Sequence, residues 1–346
     1  MRLYKFELKF GVLKKIGAVD SALPDNVLTQ KAKSYNYKKS FHLGLENLRR
    51  KTEMKRVRFP RFPYLMGIIL LLTAAYSVHG VVPQSAIDEM AKNYIAKKPV
   101  TPVSAHLTLK EAVAVQEAFV SRIKAVYGPP VGYKAGLTSP AAQKKFGVTH
   151  PLLGVLLEKM IIRKTSHVMD AKFGVLPLAE GDLVVRVGDD KINQAESNQE
   201  ILAALDAVYP FIELPDIFYV KGTKLDGPAL SAINVGARYG LLGDPIPLSP
   251  TEDWMKRLKT FKLEILDKEG KVLATGTGAN LLGNPLNVVR WIRDELKKRG
   301  KLLKKGDLLS LGTVTKLMPV KPGTTIRARY TGLDPKGPVE ISVTFK

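Results

Sequence analysis

Apolar residues set two successive rhythms along this chain. Ile87, Met90, Ala91 and Tyr94 recur at three- and four-residue steps and predict a helix over 84–98, ended at Lys98-Pro99-Val100-Thr101-Pro102. Ala112, Val115, Phe119, Ile123 and Val126 repeat the pattern over 109–127, where Thr108 and Glu111 offer a capping box and Tyr127-Gly128-Pro129-Pro130 a stop. After that the period shortens. Residues 131–138 read as a short strand leading into a helix start, with Ser139 at the N-cap and Pro140 in the first turn. The segment 150–163 alternates apolar pieces with turns, and strand patterns follow at 173–178 and 182–188. A helix over 198–207 behind Ser197, a strand ending at Glu213, a loop over 215–226, a helical stretch over 227–237 and a proline-rich linker over 245–250 complete the middle.

The last hundred residues are mostly strands. Residues 261–266 and 272–276 flank the turn Lys268-Glu269-Gly270 as a hairpin. Asn284 and Pro285 open a helix with Val288, Trp291, Ile292 and Leu296 on its apolar face, and Gly300 lies beyond its end. Strands are predicted at 308–313, 325–330 and 339–345. Helices followed by hairpins predict an α+β fold with a large, mostly antiparallel sheet system. No internal repeat, dinucleotide fingerprint or phosphate-cradling loop occurs.

Composition narrows the classes. The absence of cysteine excludes disulfides, zinc–thiolate sites and thiol nucleophiles. The net charge is +22, and half of that excess falls in the first 80 of 346 residues. The remaining lysines are scattered and not interleaved with aromatics, which predicts a solvated surface and no nucleic-acid partner. Lys55, Arg56, Arg58 and Arg61 precede the apolar run Tyr64 to Tyr76, followed by small residues near Ser77 and Gly80, the pattern of a signal peptide. Pro63 to Ile87 carries no charge, so an uncleaved anchor is the alternative, with membrane contact confined to residues 62–80. The expected organisation is an upstream extension over 1–53 ahead of Met54 as the true start, a signal or anchor segment over 54–80, and a folded unit over 81–346. That unit is expected outside the cytoplasmic membrane, in the periplasm or anchored facing outward. His106, His150 and His167 show no metal-ligand spacing.

The chemistry concentrates between Pro177 and Asp216. Glu180 and Asp182 stand two apart before Leu183-Val184-Val185, so a strand projects both to one face. Glu213 sits in the apolar setting Val208-Tyr209-Pro210-Phe211-Ile212 and Leu214-Pro215, where a lone charge needs a partner. Three converging carboxylates call for a cation, and oxygen-only ligation suits Mg²⁺, Mn²⁺ or Ca²⁺. The competing reading is a solvated strand edge. Lys134 lies within a strand between small residues; alone it reads as a surface lysine, although Gly132 and Gly136 argue for close backbone approach.

Taken together, Gly132-Tyr133-Lys134-Ala135-Gly136-Leu137-Thr138-Ser139, Phe146-Gly147-Val148, Gly154-Val155-Leu156, Pro177 to Asp182, Pro210 to Asp216, and Asn234 with Gly236 resemble the 2-keto-4-pentenoate hydratase family, within the fumarylacetoacetate hydrolase superfamily. Gly276-Thr277-Gly278, Leu282-Gly283-Asn284-Pro285, Trp291, Gly306-Asp307, Gly312-Thr313 and Pro322-Gly323 extend the resemblance over about 85–345. It implies a β-rich mixed-sheet fold with flanking helices, and Mg²⁺ or Mn²⁺ held by Glu180, Asp182 and Glu213. It implies a small 2-oxo or 2-hydroxydienoate acid as substrate, with hydration as the reaction. C–C hydrolysis, decarboxylation or non-catalytic binding of an organic acid stand as alternatives. Lys134 is expected to bind the carboxylate or move a proton, Asp216 to orient a water, and Gly312, Thr313 and Asn234 to contact substrate. A homo-oligomer is left open. Three positions depart from the family pattern: Asp182 in place of a second glutamate, Leu152 where an acid is common, and Ile217-Phe218-Tyr219 in place of a serine and an arginine.

Overall fold

The helix α1 (Gln84–Ile95) buries Ile87, Met90, Ala91 and Tyr94, the face its sequence predicts. This computed structural model describes residues 82–346; the signal or anchor segment and the upstream extension lie outside them. Helix α2 (Leu109–Tyr127) starts in a complete capping box, in which the Thr108 hydroxyl accepts from the Glu111 N–H and the Glu111 carboxylate accepts from the Thr108 N–H. Then come β1 (Pro130–Gly136), α3 (Pro140–Lys145), β2 (Leu152–Leu157), β3 (Ile161–Arg163) and β4 (Ser166–Met169). The middle holds β5 (Leu178–Val187), α4 (Asn198–Ala203), β6 (Leu205–Leu214), α5 (Gly227–Ala232), β7 (Tyr239–Leu242), β8 (Ile246–Pro247) and α6 (Glu252–Thr260). The last part is β9 (Lys262–Leu266), β10 (Val272–Thr277), α7 (Pro285–Lys298), β11 (Leu308–Ser310), β12 (Met318–Pro319), β13 (Thr325–Asp334) and β14 (Gly337–Phe345).

The strands form two sheets. Nine strands run in the order β2-β1-β11-β5-β6-β7-β3, with β12 beside β5 and β8 beside β6. Five run β10-β9-β13-β14-β4. The pairs β1/β11, β3/β7 and β4/β14 are parallel, which makes this a mixed-sheet α+β fold in which antiparallel pairs predominate. The main core joins the two sheets through Leu183, Val185 and Ile212 on one side and Leu263, Ile265 and Val343 on the other. Val288, Ile292 and Leu296 of α7 join that core. A second core lies under α1, α2 and α5, where the Tyr94 ring meets Phe119 at 5.2 Å and Phe218 at 4.9 Å, both edge-on.

Four expectations change. Residues 173–177 are not a strand, and the second strand pattern begins earlier, at Leu178, as one ten-residue strand. The helix expected to reach 207 stops at Ala203 because Leu205 to Ala207 pair with β5 and β8. The stretch expected to be helical to 237 ends at Ala232 and breaks into a left-handed turn at Asn234-Val235-Gly236. Helix α6, capped by the Thr251 side chain, was not predicted; it is short and mostly charged, with only Trp254 and Leu258 buried. Among the described residues no helix is long and apolar enough to cross a membrane.

Candidate active site

Strands β5 and β6 carry the site. Glu180 lies directly opposite Glu213 in their antiparallel ladder and Asp182 opposite Phe211, so alternation puts all three carboxylates on one face. On the other flank of β5, Ser310 of β11 lies opposite Val184, and Lys134 of β1 lies opposite Ser310. Four adjacent strands thus bring Lys134, Ser310, Asp182, Glu180 and Glu213 together. All are buried; Asp182 is 0% exposed and Lys134 3%.

The Lys134 ammonium donates to Glu213 Oε1, and to the Val235 carbonyl at 3.0 Å. Its stem runs past Gly154, where a Cβ would stand 2.7 Å from Lys134 Cγ. Asn234 and Val235 both hold positive φ, 55° and 54°, an unfavourable conformation for a β-branched residue. Such strain persists where surrounding structure imposes it. Here the Asn234 amide oxygen accepts from the Val155 N–H at 2.8 Å, and its nitrogen donates to the Val155 carbonyl at 2.9 Å. Gln116 donates to the Leu153 carbonyl at 2.6 Å. Two side chains therefore cap the edge strand β2, and one of them fixes the turn that offers its carbonyl to Lys134.

Electrostatics leave the carboxylates under strain. Burial, and next the charge of Glu213, push Glu180 well above the ordinary carboxylate range, against the pull of Lys134. Asp182 is raised by the same two causes, against hydrogen bonds from Ser310 and the Leu183 N–H. Glu213 Oε2 is buried with no hydrogen-bond partner. One ammonium therefore serves three carboxylates. An all-oxygen donor set with an orphaned carboxylate oxygen fits a hard divalent ion in charge and chemistry. It is not a ready-made cage: among the described residues no group of three or more acidic or histidine side chains is arranged to hold a metal. The cause is local. Lys134 sits on Glu213, and the shorter Asp182 accepts from the Leu183 N–H at Oδ1 and from the Ser310 hydroxyl at Oδ2, each at 2.5 Å.

Thr313 donates to Glu180 Oε2 at 2.7 Å and also lines an open cleft of about 650 Å³, so this one residue touches both. At Gly312 (φ 97°) a Cβ would stand 2.7 Å from both the Ala135 carbonyl oxygen and the Thr138 hydroxyl, so only glycine fits beside this wall. Two expected site residues stand apart. Asp216 is fully buried, and its Oδ1 accepts from the Val175 and Leu176 N–H groups, each at 2.8 Å, which braces the 174–177 loop, while its Oδ2 is buried with no hydrogen-bond partner. Both ends of the Asn234 amide bond Val155, and its Oδ1 also accepts from Gln116 at 3.1 Å, so it positions the turn beside Lys134. Ser310, Gly154, Val235 and Gln116 were not marked as site residues in the sequence. Only Gly154, inside an apolar run, carried a signal of close approach.

No protein-family model matches the chain. It is 27% identical over 245 residues to 2-keto-4-pentenoate hydratase of Paraburkholderia xenovorans (strain LB400), covering 68% of this chain and 86% of that one. It is 30% identical over 210 residues to 2-keto-4-pentenoate hydratase of Paraburkholderia phymatum, covering 59% of this chain and 75% of the relative. The solved structure of 4-oxalocrotonate decarboxylase from Pseudomonas putida G7, complexed with magnesium and adipate, superposes with a TM-score of 0.65 at 26% identity, covering 76% of this chain and 97% of that one.

Proposed function

This chain belongs to the 2-keto-4-pentenoate hydratase family, an enzyme family of the fumarylacetoacetate hydrolase superfamily, and from that premise we propose that it adds water to a small 2-oxo or 2-hydroxydienoate acid with a divalent ion held by Glu180, Asp182 and Glu213. The observation that carries this reading is the buried carboxylate trio, with the orphaned Glu213 Oε2, joined through Thr313 to an open cleft. The magnesium in the similar decarboxylase supports a hard cation here, Mg²⁺ or Mn²⁺. When bound, such an ion polarises the 2-oxo group and offsets negative charge that develops on it.

The chain's own residues supply the rest. Lys134 Nζ donates to Glu213, beside any group seated on the carboxylate face, and serves as the acid–base residue or as a carboxylate anchor. The Val235 carbonyl fixes the direction of that ammonium. Ser310 orients Asp182, and Thr313, which lines the cleft and donates to Glu180, serves the substrate carboxylate. Burial of the cluster limits the water that reaches it.

Metal is tested by thermal unfolding of the full chain in Mg²⁺, Mn²⁺ or EDTA, beside Glu213→Ala. A ligand bound only to the native state stabilises by about 2.7 kcal/mol at a hundred times its Kd. The expected result is metal-dependent stabilisation and turnover of 2-hydroxypenta-2,4-dienoate, both lost in Glu213→Ala. A fully active Glu213→Ala enzyme would overturn the reading. Similarity to the decarboxylase favours a second reaction on the same site. Product analysis separates the two, since hydration retains every carbon and decarboxylation releases CO₂.

A further inference from the structure

The turn that offers the Val235 carbonyl to Lys134 is tied to a charge at the end of α7. Arg299, the C-cap of that helix, holds Glu295 Oε1 through Nε at 3.0 Å and Nη2 at 2.9 Å, and its Nη1 donates to Gln116 Oε1 at 3.2 Å. Gln116, on α2, is 1% exposed. Its nitrogen donates to the Leu153 carbonyl at 2.6 Å and to Asn234 Oδ1 at 3.1 Å. Asn234 in turn bonds both backbone groups of Val155, and the next carbonyl in the chain, that of Val235, accepts from Lys134 Nζ at 3.0 Å.

These bonds run in one direction. A guanidinium only donates, so Gln116 turns its oxygen to Arg299 and its nitrogen inward. With the amide ends exchanged, a donor would face Arg299 and an acceptor would face the Leu153 carbonyl. Since Gln116 donates inward, Asn234 receives at Oδ1 and gives from its nitrogen, the orientation that meets both Val155 groups. The Arg299 side chain is 14% exposed, so water competes little for the outer bond, and the paired contact with Glu295 fixes the guanidinium plane. Residues at positive φ such as Asn234 and Val235 are held there by the contacts around them, and Arg299 supplies the outermost of these. We infer that Arg299 is a positioning residue for the reaction: through Gln116 and Asn234 it holds the Val235 carbonyl, and with it the Lys134 ammonium, in place against Glu213. This rests on the acid–base reading of Lys134. Lys301, two residues on, pairs with Glu117 of α2 at 2.6 Å and touches none of these groups, so it serves as a control.

The test compares Arg299→Met, Arg299→Lys, Gln116→Glu and Lys301→Met in the full chain. Two quantities are read: kcat and KM for the hydration, and amide hydrogen exchange at Val155 in the EDTA-treated protein. Arg299→Met should speed exchange at Val155 and lower kcat, each by about tenfold, with KM little changed. Gln116→Glu strengthens the bond to Arg299 but turns an acceptor toward the Leu153 carbonyl and Asn234 Oδ1, so its effect should be at least as large. Arg299→Lys keeps a donor and should recover most of both quantities. Lys301→Met should alter neither. An effect of Lys301→Met equal to that of Arg299→Met would make Arg299 a clamp between α7 and α2 and overturn the inference, as would an Arg299→Met protein with kcat and Val155 exchange unchanged. The exchange measurement needs neither metal nor turnover. A chain that hydrates nothing, yet answers at Val155 to Arg299→Met and not to Lys301→Met, would remove the proposed reaction and keep the positioning; normal hydration in every variant would remove the positioning alone.

Discussion

Lys134 and Glu213 show what a single buried pair does in this protein. Neither is stable there alone, because burial penalises each charge and each is the other's nearest partner. Lys134→Met is therefore expected to lower the stability of the EDTA-treated protein by on the order of 3–5 kcal/mol in urea unfolding. The same change should cut turnover by about 10²–10⁴-fold. It should also tighten metal binding, since the ammonium no longer competes for Glu213; unchanged urea stability would mean that the pair is not formed. Asp216 gives a second test. Burial raises its carboxyl above the ordinary range, against two backbone N–H groups and the charge of Arg238. A raised native pKa stabilises the fold at low pH, and that contribution is lost as pH rises through the raised value. Thermal melts should find Asp216→Asn gaining on the unmodified protein as pH rises from acid toward neutral, and losing that advantage in acid.

At the scale of elements, the site depends on the register of β5 against β6 and on the turn after α5. The register was half legible. The Glu180–Asp182 spacing predicts one shared face, and it is shared; that Glu213 falls directly opposite Glu180 is a property of pairing between residues far apart in the chain, on two strands separated by a helix, which local periodicity does not encode. The Asn234 turn was not legible, because apolar spacing over 227–237 fits a helix until the Asn234 amide is seen on the edge of β2. Asn234→Ala removes both bonds to Val155 and should cost about 1–3 kcal/mol of stability. The Val235 carbonyl then loses its fixed position, so kcat should fall with KM little changed. A rise in KM alone would instead restore the substrate-contact role expected from the sequence.

The whole molecule adds the question of where it works. Residues 55–80 predict export, and Met54 as the true start, for a chain whose described part has no membrane-crossing helix. N-terminal sequencing of the protein recovered from its source should find residues 1–53 absent and the enzyme outside the cytoplasmic membrane. A product retaining residues 1–53 in the cytoplasm would refute both. By itself, the sequence determined the helix faces, most of their caps, the hairpin of β9 and β10 and the shared face of Glu180 and Asp182, since these follow from local periodicity, local hydrogen bonding and residue chemistry, whereas Lys134 alone read as a surface lysine. Only the tertiary structure decided that two sheets divide the strands, that Ser310 draws Asp182 away from a ready metal cage, and that Lys134 rests between Glu213 and a strained carbonyl. Those are contacts between segments distant in the chain, and their energies exist only once burial has removed the water that would otherwise satisfy each group separately.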